Sequence, residues 1–466
     1  KDKVRQSLLR FLAKSLKTVI GMNNKEHTKS IILVLLVLMS IVLTYMVWNF
    51  SPDLSNIDNT DNSKSDKPKP LTKPMTAEME GTITPFQIVH SRDDKSQGTV
   101  ASGAVLDKMI QPLKNQEVKS VSHLKREHNL VIPELSNDFI VLDFTYDLPL
   151  STYLSQVLDI DAKVPNNFNF DRLLIDQDHN NHVVLFAISK DRHEVVKLKT
   201  TMKGNNVDKA FKSIEPDMQP YTEIITNKDT IDKATHVFAP SKPKDLKTYR
   251  MVFNTISVER MNSILFDDST IVRSSQSGTT TYNNNTGVAN YNDKDEMYHY
   301  KNLSEDAKSS SNMQETIPGT YEFINSHGGF LNEDYRLFKT DNRTGKLTYQ
   351  RFLNGYPTFN KQNFNEIQVT WGDKGVYDYQ RSLLKTDVTL NSEESKSVPT
   401  VESVRSALAN HPDIDFEKVT NIAIGYDMDD KANNEDIEVQ RNCELIPRWF
   451  VEYDGNWYAY KDGRLE

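Results

Sequence analysis

Three patterns of histidine and carboxylate residues come close to known chemical sites. The segment from Asp176 to Asn180 begins like a calcium-binding loop, in which alternate oxygen-bearing side chains contact the ion. Position six of that loop is Asn181 and position twelve is Ala187, whereas calcium loops need glycine and glutamate there. We therefore expect this segment to be the turn of a β-hairpin.

The other two patterns also lack partners. His179 and His182 could approach a zinc ion together, but no third ligand stands at helical or strand spacing. The glycines after His327 would permit close approach to a substrate, yet the aromatic residues around them favour a simple turn. The sequence also has no phosphate-binding loop, dinucleotide fingerprint, nucleophile elbow, zinc-protease helix or paired-cysteine motif. We predict no catalytic residues, no metal site and no cofactor, and so no enzyme.

The elements that would position any such residues are divided by one hydrophobic segment. Residues 30–50 carry no charge over 21 positions. As a helix they would span roughly 31 Å, which matches the hydrocarbon core of a bilayer. Tyr45, Trp48 and Phe50 lie at one end, as interfacial aromatic residues do. The pattern predicts one uncleaved transmembrane anchor, since no small-residue cleavage site and no lipid-accepting cysteine follows it.

Charges beside this segment predict its orientation. Residues 1–29 hold eight Lys or Arg against Asp2 and Glu26, whereas the whole chain has a net charge of −9. The positive-inside rule then places the N-terminus in the cytoplasm and the acidic bulk of the chain outside. The acidic balance argues against nucleic-acid binding. Residues 1–21 form a basic amphipathic stripe, and Met22 is an alternative start that would make them non-native.

The outer part of the chain predicts a spacer followed by three folded regions. Short runs rich in β-branched and aromatic residues outnumber the helical patterns, which favours an α+β fold with antiparallel sheets. Helices are expected around Val258 to Leu265 and from Val401 to Leu408, the second entered through Thr400 as a cap. The segment from Thr281 to Val288 is expected to form a hairpin in which Asn and Gly supply positive φ angles, and Pro240 to Asp245 is the expected internal boundary. The single Cys443 lies in a predicted strand, where we expect it to be buried, and the outer region therefore has no disulfide, as is common in bacterial envelope proteins. The predicted organisation is a cytoplasmic tail (1–29), the anchor (30–50), a disordered spacer (51–83), an N-terminal domain (84–247), a central domain (248–315) and a C-terminal α+β domain (316–466).

An anchor, a spacer and a divided ectodomain are typical of a protein that works through protein–protein contacts. Ser40 and Thr44 lie four residues apart on one face of the predicted transmembrane helix, where they could contact a partner helix. In the ectodomain, Trp371, Tyr377 and Trp449 are candidate interface anchors, although each could equally be part of a sheet core.

Several longer stretches carry a family resemblance. They are Phe266 to Arg273, Gly278 to Tyr282, Gly287 to Tyr291, His327 to Phe330, Gln350 to Asn360 and Pro447 to Tyr453. With the single anchor before them, these stretches resemble the YycH family, also called WalH. The resemblance covers Met22 to Glu466 and leaves residues 1–21 unmatched, which supports a start at Met22.

The resemblance implies a membrane-anchored accessory protein of Gram-positive bacteria with a three-domain α+β ectodomain. Proteins of this family modulate WalK (YycG), the sensor histidine kinase of the WalK/WalR (YycG/YycF) system that controls cell-wall metabolism. They act together with a similarly anchored partner, YycI. Activation and inhibition of the kinase remain open. The alternatives are an extracytoplasmic ligand-binding or wall-modifying protein and a passive structural spacer.

Overall fold

The computed structural model describes ten stretches of the chain: residues 33–40, 78–93, 95–125, 136–226, 235–244, 246–266, 271–307, 312–331, 333–429 and 442–466. Outside these described residues lie the predicted tail (1–29), most of the predicted anchor, including Thr44, and positions 51–77 of the predicted spacer. Residues 33–40 are helical. The remaining described stretches belong to one compact unit, Pro68–Glu466.

Numbered within this unit, the helices are α1 (Met79–Thr82), α2 (Gly103–Ile110), α3 (Leu150–Gln156), α4 (Gly204–Ile214), α5 (Val258–Leu265), α6 (Met313–Ser326) and α7 (Val401–Ala409). The strands before residue 260 are β1 (Gln87–Arg92), β2 (Lys95–Val100), β3 (Val118–Lys125), β4 (Asp138–Pro149), β5 (Asn169–Gln177), β6 (His182–Ile188), β7 (Glu194–Lys203), β8 (Gln219–Ile225), β9 (His236–Pro240) and β10 (Leu246–Thr255). The later strands are β11 (Val272–Gln276), β12 (Thr279–Asn283), β13 (Gly287–Asn292), β14 (Met297–Asn302), β15 (Tyr335–Asp341), β16 (Lys346–Leu353), β17 (Tyr356–Phe359), β18 (Glu366–Trp371), β19 (Val376–Ser382), β20 (Leu384–Lys396), β21 (Val419–Asp429), β22 (Asn442–Tyr453), β23 (Asn456–Lys461) and β24 (Arg464–Leu465).

The first sheet is antiparallel and contains β1 to β9 in the order β3-β7-β6-β5-β4-β1-β2-β8-β9. Its central strands are buried on both faces. Along β6, Val183 and Leu185 join the large core that also holds helices α2 and α4, whereas Val184 and Phe186 join a separate cluster on the other face. Because side chains alternate along a strand, a continuous apolar run such as Val183 to Ile188 must be covered on both sides.

The second sheet joins the two regions that were predicted to be separate central and C-terminal domains. Its strands follow the path β11-β12-β13-β14-β19-β18-β16-β17-β21-β22-β10-β20, with β15 beside β16 and β23 and β24 beside β22. Strand β14 pairs with β19, and β10 pairs with both β20 and β22, so hydrogen bonds cross residue 315 at two places. The predicted break near residues 240–245 falls where the chain passes from the first sheet to the second. The three-domain division itself stays a prediction.

Predicted antiparallel pairing is confirmed, with one addition. Among the pairs between described strands, β17 and β21 run parallel at Thr358 and Tyr426. The expected α5 has the predicted limits, and its cap Ser257 accepts a hydrogen bond from the Arg260 amide at 3.2 Å. The cap Thr400 similarly begins α7 by accepting from the Ser403 amide, as the sequence predicts.

The two sheets meet where β4 lies beside β15. Thr145 Oγ1 donates a hydrogen bond of 2.7 Å to the carbonyl oxygen of Phe338, and Thr340 Oγ1 donates one of 3.1 Å to the carbonyl oxygen of Asp147. Burial raises the pKa of the Asp147 carboxyl to about 6, and its Oδ1 has no hydrogen-bond partner. A carboxylate at this junction is therefore unfavourable when it is charged.

The raised pKa of Asp147 predicts a specific pH dependence of stability. The folded protein holds this proton up to about pH 6, whereas the unfolded chain releases it near the usual pKa of 3.8. The contribution of Asp147 to the free energy of unfolding is therefore most favourable below about pH 4. It falls by up to about 3 kcal/mol as the pH rises to about 6. We expect Asp147→Asn to increase the free energy of unfolding at pH 7, as measured by urea titration at several pH values.

Asp341 is a control with the opposite sign. Burial alone would raise the pKa of its carboxyl, but the Thr344 hydroxyl donates a hydrogen bond of 2.8 Å and the amides of Arg343 and Thr344 donate two more, and together these lower the pKa. Asp341→Asn should therefore reduce stability at pH 7 rather than increase it. A loss of stability at pH 7 in the Asp147→Asn variant would contradict the assignment of Asp147.

Candidate interaction surfaces

Residues 33–40 present apolar side chains in every direction. Leu33, Leu35 and Leu36 are 65%, 60% and 58% exposed, and Met39 is 56% exposed. Ser40 is the last described residue of this helical stretch, and Thr44 lies outside the described residues. Across the described ranges, no helix is both long enough and apolar enough to cross a membrane.

Trp371 lies at the end of β18 with its ring against helix α6. The contact depends on Gly319, because a Cβ atom built at that position would be 2.4 Å from Cη2 of the ring. The ring packs against the main core and remains partly accessible. Trp371 is therefore shared between the core and the surface of the second sheet.

Tyr377 lies next to a small polar cluster on β14 and β19. The Nζ atom of Lys301 is 4.7 Å from the centre of the Tyr377 ring, which is a cation–π distance. Beside it, His299 Nε2 and Asp378 Oδ2 are 2.6 Å apart, and this hydrogen bond raises the pKa of His299. The arrangement holds a partly exposed aromatic ring among groups that can form charge-assisted hydrogen bonds.

Trp449 is in a different environment from the other two predicted anchors. Its side chain is 1% exposed and packs among Val404, Leu408 and Ile424. The indole Nε1 donates a hydrogen bond of 2.9 Å to the carbonyl oxygen of Pro399. The polar atom and the apolar ring are thus both satisfied inside the fold, which places Trp449 in the core beneath α7.

Two strands at the ends of the second sheet expose side chains that the sequence reasoning did not single out. All five residues of β11 are exposed, and Val272 is 57% exposed. On β20, Val388 and Leu390 are 42% and 50% exposed. The alternation of Val388 and Leu390 with polar residues could have predicted a strand with one apolar face. It does not reveal that this strand lies at the end of a sheet. Apolar edge strands are surfaces where another chain can add a strand.

The patterns that suggested chemistry are structural. Asp178 Oδ1 accepts hydrogen bonds of 2.9 Å from the amides of Asn180 and His182, which confirms the predicted hairpin turn between β5 and β6. His327 follows helix α6, where its Nδ1 lies 2.8 Å from the carbonyl oxygen of Phe323 and burial lowers its pKa. Cys443 is buried, as predicted. Within the described ranges, no group of three or more metal-binding side chains is suitably placed for an ion.

Known proteins match this chain along most of its length. The family model described as the N-terminal domain of YycH protein matches residues 26–216, and the C-terminal domain model matches residues 234–463. The two-component system WalR/WalK regulatory protein YycH of Bacillus subtilis (strain 168) is 20% identical over 456 residues, which are 92% of this chain and 95% of the relative.

A solved structure is similar as well. The crystal structure of YycH from Bacillus subtilis matches with a TM-score of 0.64 at 14% sequence identity. The match covers 86% of this chain and 100% of the solved chain. This likeness supports the mixed fold of helices and antiparallel sheets.

Proposed function

Because the chain belongs to the YycH family, we propose that it is a membrane-anchored accessory protein that modulates the WalK sensor histidine kinase. The observation that carries the proposal is the match to both family domains, together with a curated relative named as a WalR/WalK regulatory protein. The chain acts by binding rather than by catalysis. YycI is a proposed second partner.

Membrane anchoring rests on the sequence of residues 30–50 and on the charges beside it. The segment has no charged residue, and the stretch before it is strongly basic. The described helical residues 33–40 expose leucine and methionine side chains that a bilayer would cover. We propose a single crossing with the N-terminus in the cytoplasm, which places the folded unit on the side where a sensor kinase receives extracellular signals.

Regulation by such a partner needs a difference in binding. The chain can shift the kinase between active and inactive states only if it binds one state more tightly than the other. We propose two contact regions: the anchor helix, through Ser40 and Thr44, and the ectodomain surface around Trp371 and Tyr377. Trp449 is excluded from this surface by its burial in the core.

Exchange of residues 31–48 for polyleucine should weaken co-purification of the kinase with the full chain. Interhelical hydrogen bonds in membranes contribute about 1 kcal/mol each, so loss of both hydroxyl groups should reduce the affinity by about thirtyfold. The measurement is the amount of kinase that co-purifies from membranes in a detergent, with equal amounts of tagged protein.

A matched control separates the hydroxyl groups from the hydrophobic length. Polyleucine with Ser40 and Thr44 restored should recover most of the co-purification. Equal recovery of kinase with the wild-type helix and with plain polyleucine would contradict a role for the anchor helix, and kinase contact would then fall to the ectodomain alone.

A further inference from the structure

A deep cleft opens on the second sheet, in the C-terminal half of the chain. It has a volume of about 860 Å³, within the size range of small-ligand sites. One wall is a face of the three-stranded group β15, β16 and β18. The opposite wall is formed by the loop after β17 and by β21, β22 and β23.

The wall on β16 is polar although it belongs to the middle of a sheet. Lys346, Thr348 and Gln350 line the cleft, whereas Leu347 and Tyr349 between them point into the main core. Thr348 is 8% exposed and Gln350 is 1% exposed. A sheet face packed only against protein would have apolar residues at these positions. The alternation therefore indicates that this face is not covered by an apolar protein layer, so it can hydrogen-bond to water or to a polar ligand.

Aromatic rings form the floor. Phe359 stacks on Phe450 with ring centres 3.8 Å apart, and Trp457 lies 5.7 Å from Phe359 and 5.4 Å from Phe338. Phe338 and Phe450 are buried beneath, whereas Phe359 and Trp457 remain partly exposed. The floor thus offers two adjacent, partly exposed rings that pack on two buried ones, and one face of Phe359 is covered by Phe450.

Amide side chains surround this floor and provide both donors and acceptors. They belong to Gln350, Asn360, Gln362, Asn363, Gln368 and Asn456. Next to them, the half-buried carboxylate of Glu366 accepts a hydrogen bond of 2.7 Å from Gln368 Nε2. Gln350 Nε2 and Asn360 Nδ2 already donate to the carbonyl oxygens of Thr358 and Met428. A ligand that carries hydroxyl or amide groups would pair with the donors and acceptors that remain.

Charges that line the cleft nearly balance, with five Lys or Arg against four Asp or Glu. Arg448 Nε is 2.9 Å from Asp427 Oδ2, and Lys461 Nζ is 3.6 Å from Glu466 Oε2. Lys339 Nζ donates to the carbonyl oxygen of Gly455 at 2.7 Å. No strong field of one sign is left to attract a polyanion or a polycation.

Backbone recognition of a peptide is also disfavoured. Strand β16 is paired on both sides, with β15 and β18, and β22 is paired with β21 and β23. Strand addition needs a free edge, which β16 and β22 lack, whereas β15 pairs with β16 alone among the described strands. Recognition along β16 and β22 must therefore come from side chains.

We propose that this cleft binds a short neutral oligosaccharide. The C–H faces of two sugar rings stack on Trp457 and Phe359, while ring hydroxyl and acetamido groups hydrogen-bond to the amides and to Glu366. The proposal goes beyond kinase regulation and does not depend on it, because neither Trp371 nor Tyr377 lines the cleft.

Calorimetric titration of the full chain with neutral tetrasaccharides tests this assignment. The probes are tetramers of β-1,4-linked N-acetylglucosamine, β-1,4-linked glucose and α-1,4-linked glucose, in a detergent without a sugar headgroup. We expect saturable binding of at least one tetramer with a dissociation constant between about 10 μM and about 1 mM. Trp457→Ala should weaken this binding by at least about tenfold, since it removes the accessible stacking surface.

Two further variants keep the test decisive if Trp457→Ala does not fold. The double variant Gln362→Ala/Asn363→Gly removes two exposed amides, with glycine at position 363 because its φ angle is +60°, and should weaken binding by about fivefold or more. Val272→Ala, at an exposed position of β11 that does not line the cleft, should leave the affinity within about twofold. The proposal is overturned if no tetramer binds at about 5 mM, if the cleft variants bind as well as the wild type, or if a mixed Lys/Glu tetrapeptide binds and the sugars do not.

Discussion

Replacement of Arg172 by methionine is expected to reduce the free energy of unfolding by about 3–5 kcal/mol. Arg172 is 3% exposed on β5, and its Nε donates a hydrogen bond of 2.9 Å to Asp143 Oδ1 on β4. A second donor of the same guanidinium, Nη2, contacts the carbonyl oxygen of His236 on β9. One side chain therefore joins three strands of the first sheet.

The size of this effect comes from the partner that is left behind. Asp143 is 2% exposed, and without Arg172 it would keep a hydrogen bond from Gln87 Nε2 at 2.9 Å but no cation. A buried carboxylate without a counter-charge is far more costly than the net gain from the intact pair. Chemical denaturation followed by circular dichroism gives the measurement.

The double variant Arg172→Met/Asp143→Leu is the matched control. Removal of both charges should restore much of the stability that the single variant loses, because no uncompensated charge remains. A single-variant loss below about 1 kcal/mol would instead indicate that water reaches the pair and that it does not stabilise the sheet.

Trp449→Ala is the second substitution with a large expected effect, a loss of about 3–5 kcal/mol in the free energy of unfolding. Removal of the indole ring creates a cavity beneath α7 and leaves the carbonyl oxygen of Pro399 without its hydrogen-bond donor. Thermal unfolding of the purified full chain should show a clearly lower midpoint.

Tyr377→Ala provides the comparison at a surface position. Its ring contacts Lys301 at the protein surface, so its removal should change stability by less than about 1 kcal/mol. If Trp449→Ala were as stable as the wild type and lost only kinase binding, Trp449 would be an interface residue and its assignment to the core would be contradicted.

The sequence predicted those helices whose ends are set by residues close to them in the chain. The caps Ser257 and Thr400 stand directly before α5 and α7, and apolar spacing carries each helix to its end. Helix α6 was not predicted, because Pro318 and Gly319 disfavour a helix. The helix forms with Pro318 inside it, and Gly319 gives room to Trp371, which comes from a strand 52 residues later in the chain.

The position of one hairpin turn was predicted correctly, but its backbone conformation was not. The hairpin between β12 and β13 lies where the sequence indicated, at Asn283 to Gly287. Positive φ angles were expected from its asparagine and glycine residues. Instead, Asn284 Oδ1 accepts hydrogen bonds from the amides of Thr286 and Gly287, and the positive φ angles occur at Ser277 and Gly278 in the preceding turn. A side chain that replaces a backbone acceptor can form a turn without a left-handed residue.

Surfaces were harder to predict than elements. Trp371, Tyr377 and Trp449 look alike as aromatic residues in strands, and only the packing of α6 and α7 decides which of them is buried. The cleft brings Trp457 next to Phe359, nearly a hundred residues earlier in the chain. Which aromatic residues are buried and where the cleft forms both depend on the pairing of strands that are far apart in the chain. The spacing of residues within one segment does not predict that pairing.

Transcription from WalR-dependent promoters tests the regulatory role most directly. The comparison is between the host bacterium, a strain that lacks this chain and a strain in which the full chain is restored. A regulatory coupling of about 1 kcal/mol corresponds to a change of about fivefold. We expect a change of this order on deletion, in one direction and fully reversed by complementation, whereas equal transcription in all three strains would contradict the assignment as a WalK regulator.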